Sequence, residues 1–314
     1  MRFAQHETFH IRDGWLNKGL HAIAEDAHIF RDDEAPQRLG LGKNMVRSLR
    51  YWMMALGLVE TIGRQQGLRL TQLGHILLEN DPYQERDGTL WLLHHQLVKN
   101  SAQATAWYWF FNLYVPRIFT RQEFLDNLNL WINANMGSDS KPIAPSSLAK
   151  DFDCILHTYA PNSREYSPED LMESPLSALN LLSAIHDKDE QDRRLRYYRL
   201  NVPTTSSIPP LILLYVLLDF RETRAAQVDQ LNLSDIMRQP GGPGRTFNIT
   251  TSAFEELIMA VADIVPEYSV TITRTAGLNL VNLPRIAPQD VLKSYYYSNS
   301  YQPQVIEKWS LSSS

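Results

Sequence analysis

The chain has 314 residues and a formal charge of -5, from 30 Lys+Arg against 35 Asp+Glu, with 44% hydrophobic and 21% charged residues. That composition excludes a disordered chain, and the length supports a substantial core in two domains or in one with a large appendage. The longest apolar run, residues 211–218, is too short to span a bilayer, and the lone Cys154 excludes an intrachain disulfide framework or a multi-cysteine zinc site. Residues 1–7 carry no apolar signal segment, so the expectation is a soluble cytoplasmic protein with no membrane contact.

Residues 3–12 alternate like a strand. Ala4, His6, Thr8, His10 and Arg12 then share one face, and Phe3, Gln5, Glu7, Phe9 and Ile11 the other. Asp13 is placed to N-cap a helix in which Trp15, Leu16, Leu20 and Ile23 share a face. Residues 19–34 hold five acids against one base, whereas residues 38–69 hold Arg38, Lys43, Arg47, Arg50, Arg64 and Arg69 against Glu60 alone. A basic strip in an acidic chain is a local footprint that a phosphate backbone would feel. Within it, a turn at residues 40–42 opens a helix over residues 43–56. Met45, Leu49, Trp52 and Leu56 line its core face. Asn44, Arg47, Ser48 and Tyr51 lie on the other, with Lys43 and Arg50 towards the edges. Gly57 stops the helix, a short hairpin carries Arg64 at its tip, and a further helix starts at Thr71.

Helix, turn, basic helix, hairpin, helix is the order of a winged helix, whose second helix enters the major groove while the wing touches backbone. The same order also serves protein contacts. The polar outer face puts double-stranded DNA first, with Lys43, Asn44, Arg47, Arg50 and Arg64 as the contact set.

Helices are predicted over residues 87–99 and 102–114, the second apolar nearly all round and therefore buried. Thr120 and Glu123 form a capping box for a helix to about Met136, residues 137–142 read as a linker, and Ser146 or Ser147 starts a helix that ends before Pro161. Strands over residues 181–185 and 195–202 follow. Arg193, Arg194, Arg196 and Arg199 with Tyr197 and Tyr198 make a second basic-aromatic cluster, read as a solvated hairpin face. Beyond it lie an apolar helix over residues 209–221, a short helix over 234–237, a loop at 241–244, a helix capped at Ser252, and strands at 269–273 and 278–282 around Ala276 and Gly277. The fold class expected is mainly α with small β-hairpins. Winged-helix domains at residues 1–80 and 205–290 would flank a helical middle region at 81–204, and a tail would occupy 291–314, fraying after Tyr295.

Two stretches are distinctive: residues 6–18, His-Glu-Thr-Phe-His-Ile-Arg-Asp-Gly-Trp-Leu-Asn-Lys, and residues 39–46 with Leu49, Arg50, Tyr51 and Trp52. Together with residues 150–154 and 275–278 they resemble a bacterial family long of unknown function, the SspB-like DNA-nicking components of Ssp-type DNA phosphorothioation operons. The resemblance covers most of the chain. It implies a DNA-nicking endonuclease in a phage-defence system that opens one strand for sulfur modification. It further implies a cysteine desulfurase, an ATPase and an ATP-pyrophosphatase-like protein as partners, and leaves a homodimer open.

Nicking a phosphodiester usually takes carboxylates to hold Mg²⁺ or Mn²⁺, a base for water and a cation for developing charge. Glu7, His10, Arg12 and His6 are the candidate catalytic residues, with Glu7 and His10 as metal ligands. The alternative for the histidines is structural satisfaction of backbone groups. A second constellation is Asp151, Asp153 and His157, for which surface charge pairing is the simpler account, and Cys154 is expected to pack. No P-loop, dinucleotide fingerprint, zinc-cysteine spacing or Gly-x-Ser-x-Gly elbow is present. A non-catalytic DNA-binding adaptor or transcriptional regulator is the competing reading.

Overall fold

Left-handed backbone decides how the chain begins. In the computed structural model, which describes all residues except 64–66, 138–140, 161–173, 189–193, 226–227, 276 and 298–314, residues 3–12 coil through turns and do not extend. Ala4, Glu7 and Thr8 have φ of 54°, 51° and 68°. Such residues cannot continue a pleated ladder, so the expected strand and its two faces are replaced by a turn. Phe3, His6, His10 and Ile11, drawn from both predicted faces, are all buried.

The first helix, α1 (Trp15–Glu25), is opened by Gly14 at φ 73°, not by Asp13. The Asp13 carboxylate accepts instead from the Gly14 amide at 3.0 Å. Next come α2 (Ala35–Leu39), α3 (Lys43–Ala55), strands β1 (Val59–Ile62) and β2 (Gly67–Leu70), and α4 (Gln72–Asn80) capped by Thr71. Gly19 lets α1 lie close on α3, since a Cβ there would meet the Met53 sulfur at 2.8 Å. Leu49, Trp52 and Leu56 are buried as the helical spacing requires. Ser48 and Tyr51, expected on the outer face, are buried too, because the N-terminal turn covers that part of α3.

The middle of the chain runs α5 (Asp87–Lys99), α6 (Thr105–Asn112), β3 (Ile118–Phe119), α7 (Arg121–Asn135), α8 (Pro145–Tyr159), β4 (Leu182–Lys188) and β5 (Arg194–Leu200). The capping box of Thr120 and Glu123 forms as expected. The three strands make an antiparallel sheet in the order β3-β5-β4. Then follow α9 (Pro210–Ala225), β6 (Gln230–Asn232), α10 (Leu233–Arg238), α11 (Pro243–Thr246), α12 (Thr251–Ile264), β7 (Thr271–Thr275), β8 (Leu278–Asn282) and α13 (Pro288–Tyr297), with sheet order β6-β8-β7. Thr250, not Ser252, caps α12 through the Ala253 amide. The chain is mainly helical with small sheets, as expected.

The tail expected from 291 is helical as far as Tyr297. In α13 it packs on α9, and its Tyr295 and Tyr296 are buried. The Tyr295 hydroxyl accepts from the Gly88 amide at 3.2 Å, and Tyr296 shares a 2.6 Å hydrogen bond with Thr89. These rings dock the helix on the start of α5, which explains an aromatic run in a stretch that otherwise reads as tail. Among the described residues no helix is long and apolar enough to cross a membrane.

Between α5 and α9 the core holds a charged knot. Asp219 accepts from His95 Nε2 at 2.8 Å and from Lys99 Nζ at 2.8 Å on each oxygen. Burial pushes the Asp219 carboxyl up, but the His95 hydrogen bond and the Lys99 charge outweigh it and hold the group well below the usual carboxylate range. Desolvation lowers the His95 pKa, so its imidazole is neutral and donates its one N–H to Asp219. Asp219→Ala should cost on the order of 3 kcal/mol in urea unfolding at neutral pH, since it strands Lys99 beside a buried histidine. Because folding depresses this pKa, the contribution is complete above the ordinary carboxylate range. The gap between wild type and variant should therefore narrow below about pH 4. A gap that stays constant into acid would contradict the assignment.

Candidate nucleic-acid interface

The distinctive string at residues 6–12 is locally frustrated, and tertiary contacts hold it in place. His6 is fully buried and its Nε2 lies 2.8 Å from Asp151 Oδ1 on α8, which also accepts from the Ala4 amide at 2.8 Å. Burial raises the Asp151 carboxyl above its ordinary value, against the hydrogen bonds from His6 and Ala4. Three residues on, the Phe9 carbonyl accepts from Trp52 Nε1 at 3.1 Å and Ser48 Oγ at 3.4 Å on α3, and from Cys154 Sγ at 3.7 Å on α8. One backbone oxygen thus joins the turn to two helices far apart in sequence. His10 is buried against His157, their ring centroids 5.5 Å apart.

Two sets of residues that sequence reasoning weighed as rivals, one around Glu7 and one around Asp151, therefore occupy one place. The members divide by exposure. His6, His10, Asp151 and Cys154 are inside. Burial raises the Cys154 thiol well above its usual pKa, so it stays protonated at neutral pH and packs. Asp153 stays at the surface and pairs with Arg121 at 3.1 Å.

Glu7 and Thr8 are turned outward at the crest of the turn, and the Glu7 carboxylate lies 3.9 Å from Arg47 of α3, with 39% of its side chain exposed. Lys43, Asn44 and Arg47 are exposed and Arg50 is half-buried, so the first two turns of α3 and the crest of the turn form one surface. Arg64 lies outside the described residues. Arg12 is half-buried, its guanidinium 5.5 Å from the Phe9 ring centroid and 5.8 Å from that of Trp15, with Nε unpartnered. Stacked on two rings and with no carboxylate partner among the described residues, this cation keeps donor capacity for an anion.

Sequence reasoning missed the Phe9 carbonyl and the His6–Asp151 bond. No local signal marked either: His6 lies between Gln5 and Glu7, and Asp151 between Lys150 and Phe152, so their sequence neighbours do not announce burial. Among the described residues no group of three or more His, Cys, Asp or Glu is placed to hold a metal ion. The donors at this surface include one carboxylate at the crest of the turn, that of Glu7. They do not suit a cage made by protein alone.

The family model described as "Protein of unknown function (DUF4007)" matches residues 3–296. A magnesium ion-bound SspB crystal structure is similar with a TM-score of 0.82 and 29% identity, over 94% of this chain and 87% of that one. A further SspB crystal structure is similar with a TM-score of 0.81 and 28% identity over the same shares. The chain is SspB-like in sequence and fold. Comparison with curated proteins gave no match.

A β-branched residue at φ 68° is strained, and Thr8 is exposed, so Thr8→Gly should raise stability by about 1 kcal/mol in urea unfolding. His6→Ala should lower it by on the order of 3 kcal/mol, because it leaves the buried Asp151 with the Ala4 amide but without its histidine. A destabilised Thr8→Gly or a neutral His6→Ala would show that the turn is not held as described.

Proposed function

The chain belongs to the family described as "Protein of unknown function (DUF4007)", and from its N-terminal surface we propose that it binds double-stranded DNA and nicks it in a bacterial DNA phosphorothioation system. The observation that carries this reading is the strained crest of the turn, where Glu7 stands 3.9 Å from Arg47 beside the exposed start of α3. Strain in exposed residues, maintained by buried hydrogen bonds, is a feature that packing alone does not require.

In this reading the segment from α1 to β2 is a winged helix with α3 in the major groove. Lys43, Arg47 and Arg50 neutralise phosphates, and Asn44 has the amide pair that reads adenine. The segment from α9 to β8 is read as a second winged helix, its sheet order β6-β8-β7 supporting that assignment. Glu7 would hold a magnesium or manganese ion shared with the phosphodiester. The ion would polarise the phosphoryl oxygen, and Arg12 would face the negative charge that develops at phosphorus. His6 and His10 act from inside, fixing the turn. A cysteine desulfurase, an ATPase and an ATP-pyrophosphatase-like protein would be its partners.

With supercoiled plasmid and Mg²⁺ or Mn²⁺, the protein should produce open circles, and chelation should stop it. Glu7→Gln should abolish nicking while leaving duplex affinity within about twofold, and Arg12→Ala should slow nicking by on the order of a hundredfold. Lys43→Ala, Arg47→Ala and Arg50→Ala should each weaken duplex binding and cut the salt slope by about 0.9. Retarded DNA without open circles would favour the adaptor reading; normal nicking by Glu7→Gln would remove Glu7 from the site.

A further inference from the structure

The middle sheet carries a second cationic feature, separate from α3. At the β3 edge a cleft of about 620 Å³ is lined by Arg117, Arg199, Asn180, Ser183 and Asn201 among others, and its lining contains no carboxylate. Its cations come together by register. Ile118 of β3 pairs with Arg199 of β5, so Arg117 sits one residue away, and the Leu200 amide donates to the Arg117 carbonyl at 2.8 Å. Ser183 of β4 faces Arg199 from the other side.

Both arginines are exposed, and neither has a salt bridge or hydrogen bond from its side chain among the described residues. Several other arginines are neutralised locally: Arg38 by Asp26 and Asp32, Arg121 by Asp153, and Arg285 by Asp229. The cleft wall is fixed. Asn201 accepts from the Ser183 hydroxyl at 3.1 Å, donates to the Asn180 carbonyl at 2.9 Å, and through its own carbonyl accepts from Asn248 at 2.7 Å. Two unneutralised guanidinium groups over a rigid, hydrogen-bonded floor make a receptor for a tetrahedral oxyanion.

We propose that this cleft binds a backbone phosphate of DNA, a contact separate from that of α3. The inference rests on the duplex-binding part of the function proposed above. Arg117 and Arg199 grip phosphate oxygens by charge-assisted hydrogen bonds, with the exposed Asn180 amide as a further donor. Such a contact carries no sequence information; it fixes the register of the duplex on the protein.

The test measures binding of a fluorescein-labelled duplex across salt concentrations for the full chain, Arg117→Gln with Arg199→Gln, and Lys43→Ala with Arg47→Ala and Arg50→Ala. The side chains at 117 and 199 are exposed, and a thermal melt confirms that the double variant folds. The double variant should weaken binding roughly tenfold or more at moderate salt and flatten the slope by about 1.8, two phosphates' worth. Lysine at both positions should restore the slope. Loss in the α3 variant with none in the cleft variant overturns the cleft and leaves α3 standing. Loss in the cleft variant alone supports the cleft and removes α3 from the interface. No loss in either, or no duplex binding by the full chain, overturns both.

Discussion

One backbone carbonyl organises the surface on which the functional reading depends. The Phe9 oxygen takes hydrogen bonds from Trp52 and Ser48 on α3 and from Cys154 on α8, while His6 reaches Asp151 one turn before Cys154. The His6–Asp151 bond is buried and those to the Phe9 carbonyl are partly so, and an unmade partner in such a place costs about 1–3 kcal/mol. Holding Glu7 and Thr8 in left-handed backbone costs on the order of 1–2 kcal/mol each, and these contacts offset that cost. Arg12, stacked on Phe9 and Trp15, takes its orientation from the same knot.

Much of the helical framework was legible in the sequence. The 87–99 helix, the capping box at Thr120, and the core stripe of Leu49, Trp52 and Leu56 follow from spacing and local cap chemistry. The N-terminal turn was not, because dividing residues 3–12 between two alternating faces assumes the period of a strand, which the chain does not adopt. Only tertiary partners at positions 48, 52, 151 and 154 distinguish the two. The same limit hid the burial of Ser48 and Tyr51, whose covering segment precedes them by some forty residues. For α13 the polar residues before its consecutive tyrosines masked a docking helix, and the partner at Gly88 is distant in sequence. Of the candidate site, the residue types and their location were readable. Which histidines face inward was not, since that follows from the turn.

The polar groups inside the protein share one pattern. His94 is squeezed between the Tyr159 hydroxyl and the Thr246 carbonyl, each at 2.7 Å, and burial lowers its pKa to about 3. His95 is neutral against Asp219, and His6 meets Asp151. Each histidine joins elements distant in sequence and spends its donor on a named acceptor. These three buried histidines act as cross-braces, which leaves the chemistry proposed at the surface to a carboxylate and guanidinium groups.

Hydrogen exchange of the free and duplex-bound protein tests the central claim most directly, because the claim is that the turn and the start of α3 are one rigid DNA-facing surface. The account predicts that duplex DNA slows exchange in residues 4–12 and 43–50 together, and that Asp151→Asn speeds exchange in both segments of the free protein. Protection of α3 with no change in residues 4–12 would contradict it, and would leave the turn a structural brace with no part in DNA recognition.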